Sequence, residues 1–123
     1  MIPSINVKRV YEKSSRTDGL RILVDRLWPR GLTKEKAAVD EWDKDMAPST
    51  QLRKWFNHIP TKWSQFKKKY MTELRSNPSL QLFLKSHRNR KTITLLYAAK
   101  DQQHNEALVL QQYLTQQFHK KHL

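Results

Sequence analysis

Two short apolar runs constrain this chain more than any other feature of it. Leu20–Leu27 contains Leu20, Ile22, Leu23, Val24 and Leu27, and Thr92–Ala99 contains Ile93, Leu95, Leu96 and Tyr97. A strand with one wet face alternates apolar and polar residues, whereas these runs are nearly continuous. They read as strands covered on both faces, which is the pattern of a parallel sheet. Trp28-Pro29-Arg30-Gly31 ends the first run, because proline cannot donate to a ladder and glycine permits a turn. Asn6–Tyr11, which alternates and contains Val7, Val10 and Tyr11, reads as a further strand ahead of both.

The segments between the strands carry helical spacing. Thr33 suits the N-cap of a short helix over Lys34–Val39, after which Asp40, Glu41, Asp43 and Asp45 form an acidic patch around Trp42. Ser49 or Thr50 can cap the next helix, with Leu52, Trp55, Phe56 and Ile59 on one side and Pro60 interrupting it. Trp63, Phe66, Tyr70 and Leu74 follow at spacings of three and four, which leaves Lys62 and Lys67-Lys68-Lys69 to solvent. Asn77-Pro78 opens a helix with Leu80, Phe83 and Leu84 inside. Asp101 is placed to cap a closing helix whose inner face holds Ala107, Leu110 or Gln111, Leu114 and Phe118.

Helices set between apolar strands predict one α/β domain over residues 1–123, a small three-layer sandwich with a short, mainly parallel sheet covered by helices. The length suits a single core.

Composition narrows the chemistry. There is no cysteine, which excludes disulfides, thiolate nucleophiles and cysteine-bound zinc. The first residues lack the apolar stretch of a signal peptide, and nowhere do about 18 apolar residues follow one another, so the expected location is the cytoplasm with no membrane partner. The histidines, at 58, 87, 104, 119 and 122, include no pair at i,i+4 with an acidic companion. Their spacing therefore predicts no metal site, and no cofactor is expected.

The formal charge is +13 and the pI near 10.2. Most of the excess lies in the second half, where Glu73, Asp101 and Glu106 are the acidic residues after position 60. The densest basic runs are Lys67-Lys68-Lys69, His87-Arg88-Asn89-Arg90-Lys91 and His119-Lys120-Lys121-His122. Such a balance favours anionic partners.

If the two apolar runs are parallel neighbours, Asp25, Arg26, Trp28 and Arg30 emerge at the same carboxyl edge as Tyr97, Lys100, Asp101, His104 and Asn105. Open α/β sheets bind ligands at that edge, and the first amides of the closing helix favour an anion there. Arg26, Trp28, Arg30, Tyr97, Lys100, Asp101 and Asn105 are thus candidate ligand-binding residues. Asp25, His58 and His104 are candidate proton-transfer groups, since imidazole titrates near neutrality.

Each has a structural alternative. Asp25 and Arg26 can form an ion pair or a strand-end cap, and Arg30 can stack on an indole. Asp101 can simply cap the helix that carries His104, and His58 can be a turn residue.

Two functions fit these residues. One is a domain that holds a small anionic molecule bearing phosphate or carboxylate, with or without turnover. The other is a nucleic-acid-binding or transcription-regulatory protein that uses Lys67, Lys68, Lys69, Arg88, Arg90 and Lys91 on phosphates. No helix-turn-helix pattern supports a regulatory version of the second. The charge can also serve solubility alone.

The chain resembles the YeaO-like branch of domain-of-unknown-function family 488. The resemblance runs through Val7-Lys8-Arg9-Val10-Tyr11, Leu23-Val24-Asp25-Arg26-Leu27-Trp28-Pro29-Arg30-Gly31-Leu32, Ala47-Pro48-Ser49, Leu52-Arg53-Lys54-Trp55-Phe56 and Thr94-Leu95-Leu96-Tyr97-Ala98-Ala99-Lys100-Asp101 with His104-Asn105. It implies a compact α/β fold and brings no activity with it. The wider family resembles a pattern with Asp-x-Arg after one strand and Cys-His-Arg near the start of a later helix. Here the second feature becomes His104-Asn105-Glu106, so thiol chemistry does not carry over, and a binding role without turnover gains weight.

Overall fold

In the computed structural model, Leu20–Leu23 (β2) and Thr92–Tyr97 (β4) lie side by side and parallel, Leu20 opposite Ile93 and Leu23 opposite Leu96. The structure describes residues 2–122; the side chains of 121 and 122, part of the basic tail, lie outside that description. Ser4–Arg9 (β1) pairs with the other side of β4, and Glu41–Trp42 (β3) pairs with β2. The sheet order is β1-β4-β2-β3, and every pairing is parallel.

Among the described residues five α-helices accompany the sheet: Lys34–Ala37 (α1), Thr50–Phe56 (α2), Trp63–Arg75 (α3), Leu80–His87 (α4) and Glu106–His122 (α5). Among the described residues no helix is long and apolar enough to cross a membrane.

The two faces are covered unequally. On one, Ile22, Val24, Ile93 and Leu95 pack with Phe56, Phe66, Tyr70, Phe83, Leu110 and Leu114 from the four longer helices. On the other, Leu23 and Leu96 meet Val10, Ala37 of α1 and the indoles of Trp28 and Trp42. Alternation along β2 and β4 sends successive apolar side chains to opposite sides, so a continuous run was needed to serve both.

The strands are shorter than their apolar runs. β2 ends at Leu23: Val24 still donates to the Leu96 carbonyl over 3.1 Å, but the next ladder position is taken by a side chain, with the Ala98 amide donating to Asp25 Oδ2 at 2.9 Å. β1 begins and ends two residues before the expected segment, because Glu12 turns back onto the Arg9 carbonyl. β3 was hidden inside the acidic patch. Its two residues are held by Asp40 donating to the Arg21 carbonyl and Asp43 donating to that of Leu23, each over 2.9 Å.

Helix starts follow side-chain capping. Thr33 accepts from Lys36 and Ser49 from Leu52, as the sequence suggested. The cap of α5 is Asn105, which accepts from the Leu108 amide at 3.1 Å; Asp101 lies one turn too early and closes a tight turn on Gln103 and His104 instead.

At the opposite edge, buried Asp18 joins Lys8 and Arg21, whose guanidinium also donates to the carbonyls of Ala37 and Ala38. Burial works against the Asp18 charge, but bonds from Ser15, Lys8 and Arg21 outweigh it and hold the carboxyl below its ordinary range. Gly19 follows with φ 64°, where an added Cβ would lie 2.3 Å from the Thr92 carbonyl oxygen. Only glycine lets β2 start this close to β4.

Candidate functional site

Because β2 and β4 are adjacent and in register, the chain leaves both at one edge. Asp25 bridges the two exits through the Ala98 amide, while the Trp42 indole donates to the Asp25 carbonyl over 2.8 Å and so adds β3 to the clasp. Arg9, at the end of β1, completes it by donating to the carbonyls of Ala98 and Ala99 at 3.0 and 2.9 Å. All four strand ends are therefore tied together by hydrogen bonds from three side chains.

Beyond this clasp opens a cleft of about 620 Å³. Its walls come from the 25–30 loop, the C-terminal end of α2 with Asn57 and His58, and the start of α5. The loop is stiffened from both sides: the Trp28 indole donates to the Leu32 carbonyl at 2.7 Å and Tyr11 donates to the Arg30 carbonyl at 2.9 Å. Four cationic side chains border the cleft, those of Arg26, Arg30, Arg53 and Lys54. Among the described residues none of the four is paired with a carboxylate. Arg26 is anchored to the backbone, donating to the Pro48 carbonyl over 3.2 Å.

Two carboxyls stand among these cations. Burial first, then the charge of Asp25 and a hydrogen bond to it, push the Glu106 carboxyl well above its ordinary value of 4.5. Glu106 Oε1 is enclosed and has no partner as a carboxylate oxygen. Burial thus favours the neutral acid at Glu106, beside Asp25.

The expected site residues separate into those the cleft gathers and those it leaves out. Asp25, Arg26, Trp28, Arg30, His58, His104 and Asn105 line it. Tyr97 does not: it is 4% exposed in the core, its phenol raised by burial and next by the charge of Glu12. Lys100 is exposed outside the cleft, and Asp101 lies behind His104, accepting from His104 Nδ1 at 2.9 Å. That carboxyl is held below its usual range, chiefly by the Gln103 amide and by His104.

His104 rests edge-on against Trp63, with ring centres 5.3 Å apart, and His58 occupies a left-handed turn at φ 55°. The anticipated open helix start is self-capped. Asn105 takes the Leu108 amide.

Sequence reasoning missed Tyr11, Arg53, Lys54 and Glu106, all of which line the cleft. Arg53 and Lys54 come from a helix whose outer face looks like ordinary solvated charge. Glu106 follows Asn105 directly, yet nothing local distinguishes an inward glutamate in a first helical turn from an exposed one. The residues of the alternative reading lie on separate elements, Lys67, Lys68 and Lys69 on α3 and Arg88, Arg90 and Lys91 in the connection from α4 to β4. Lys67 and Lys69 reach over the rings of Trp63 and Trp55, at 5.9 and 4.9 Å.

Comparison with known proteins places this arrangement. The family described as "Inactive DUF488-N3 subclade" matches residues 4–122. "Uncharacterized protein YeaO" of Escherichia coli (strain K12) is 44% identical over 111 residues, covering 90% of this chain and 96% of that protein. "Uncharacterized protein Rv3073c" of Mycobacterium tuberculosis (strain ATCC 25618 / H37Rv) and "Uncharacterized protein Mb3100c" of Mycobacterium bovis are each 38% identical over 110 residues, covering 89% of this chain and 92% of theirs. No solved structure matches. With a match over almost its whole length, the chain belongs to the DUF488 family, in the DUF488-N3 subclade described as inactive.

Proposed function

We propose that this is a binding domain for a small anionic molecule, phosphate- or carboxylate-bearing, held at the carboxyl edge of the sheet without turnover. The observation that carries the reading is the set of cations around the cleft, Arg26, Arg30, Arg53 and Lys54, with no carboxylate paired to any of them among the described residues. Guanidinium groups suit phosphate and carboxylate because their planar forks donate two bonds at once. The volume fits a small metabolite.

The lack of turnover rests on chemistry. There is no cysteine nucleophile. Among the described residues no serine, threonine or cysteine lines the cleft for His104 to activate, and Asp25 is held by the Ala98 amide. The subclade's description as inactive favours the same reading. His58 and His104 are the imidazoles that line the cleft.

Thermal denaturation in the presence of inorganic phosphate, citrate, sugar phosphates and nucleoside monophosphates tests the reading. An anion from this panel should raise the Tm of the wild type, its uncharged analogue should not, and Arg30→Ala with Arg53→Ala should abolish the rise. A panel that leaves the wild type unmoved, or a rise that survives both substitutions, removes the proposal. The nucleic-acid alternative has weaker support, since its lysines and arginines occupy separate elements and two of the lysines cover indoles.

A further inference from the structure

A second cluster of chemistry lies on β3 and α4, and none of its members lines the cleft. In β3, Glu41 is registered with Ile22, whose side chain belongs to the face packed by the longer helices, and alternation returns Asp43 to that face. His87, the last residue of α4, meets them there. One potential ligand atom from each of Glu41, Asp43 and His87 lies within 4.8 Å of the others.

The imidazole is more than nine-tenths buried, and its orientation is fixed. Its ring stacks on Phe83 with centres 4.1 Å apart, and Nδ1 lies 2.7 Å from the Phe83 carbonyl oxygen. A carbonyl can only accept, so Nδ1 carries the proton. In the neutral ring this leaves Nε2 with a bare lone pair, directed at Glu41 Oε1 2.9 Å away. Two acceptors therefore face each other unless a cation or a further proton stands between them. The second carboxylate, Asp43, adds another acceptor within 4.8 Å of both.

We infer that Glu41, Asp43 and His87 form a binding site for a divalent transition-metal ion of the zinc type. One imidazole nitrogen and two carboxylate oxygens suit such an ion, whereas magnesium and calcium prefer oxygen alone. The Nδ1–H bond to a backbone carbonyl is the outer-shell support that metal-ligating histidines use to present Nε2.

In tetrahedral geometry zinc bonds of about 2.0–2.2 Å place ligand atoms roughly 3.3–3.6 Å apart, so atoms at the observed limit of 4.8 Å have to close by about 1.2–1.5 Å, a movement within reach of carboxylate side-chain rotation. Glu41 is about one-third exposed, and on that side water can complete the coordination. The ion would pin the two-residue edge strand to the end of α4, and so keep β3 on the sheet.

Titration calorimetry of the intact chain with Zn2+, with Co2+ absorption as a second readout, tests the site. The expected result is one ion per chain, a tetrahedral Co2+ spectrum, and a rise in Tm with free metal. Asp43→Asn and Glu41→Gln, which keep side-chain volume and lie on the more exposed side, should each weaken binding by more than about tenfold, the scale that loss of even an outer-shell partner carries. The double variant His119→Gln, His122→Gln should bind as the wild type does. No uptake by the wild type overturns the inference and leaves His87 and Glu41 as a plain ion pair. Uptake that disappears with the tail histidines, or persists in Asp43→Asn and Glu41→Gln, overturns it equally.

Discussion

The Ala98 amide donates to the Asp25 carboxylate over 2.9 Å, so a side chain from the exit of β2 occupies the backbone position that would have continued β4. Extension of the ladder stops there and the chain splays open, which makes room for the cleft. The same carboxylate therefore both ends the sheet and shapes the site.

Removing that acceptor should free the amide. In Asp25→Ala the Ala98 N–H is left unpaired in a partly buried place, an arrangement that costs about 1–3 kcal/mol, whereas Asp25→Asn keeps an oxygen in position. Hydrogen exchange at Ala98 should therefore accelerate by about ten- to a hundredfold in the alanine variant and far less in the asparagine variant. Equal protection in all three proteins would show that the clasp does not hold the edge.

The carboxyl pair makes stability depend on pH in a definite direction. The folded value of Glu106 is raised, so between its unfolded value near 4.5 and the folded one the native state binds the extra proton. Stability from this group is full below 4.5 and is lost as pH climbs through the folded value, by about 1.4 kcal/mol per pH unit in that window. Asp18 and Asp101, both lowered, act in the opposite sense and lose stability as pH falls through their folded values. The comparison that isolates Glu106 is with Glu106→Gln, which should gain on the wild type in urea denaturation as pH rises above 4.5. Parallel pH curves for the two proteins would mean that no proton is held there.

The two glycines should respond differently to alanine. At Gly19 an added Cβ meets the Thr92 carbonyl oxygen at 2.3 Å in a strained backbone conformation, while at Gly31, with φ 77°, it meets nothing within 4 Å. Gly31→Ala should cost only the conformational penalty, about 1–3 kcal/mol, and Gly19→Ala should exceed it because backbone must move as well. Midpoints of urea unfolding give the order directly; equal losses would contradict the close approach of β2 to β4.

The fold was largely legible because its main signal is continuous and local. The apolar runs containing Ile22 to Val24 and Ile93 to Tyr97 could only be strands buried on both faces, and adjacency followed from their parallel character. Strand ends were less legible, since β2 is stopped at Leu23 by the remote Asp25–Ala98 bond and not by its own residue preferences. β3 could not be read at all: two residues within an acidic segment carry no periodicity.

The sequence named cleft residues at the strand exit, Asp25, Arg26 and Arg30, and at His58, His104 and Asn105, and missed Arg53, Lys54 and Glu106 on helical faces. Glu41 and His87 are 46 residues apart, and spacing rules for metal ligands look only along one helix or loop.

Whether the exits of β2 and β4 form an anion-attracting cleft is tested by the backbone amide NMR spectrum of the protein during titration with a nucleoside monophosphate at low salt. Saturable shifts confined to residues 25–30, 53–58 and 98–106 are expected. Shifts centred on 67–69 and 88–91, or none within the cleft at millimolar ligand, would contradict it.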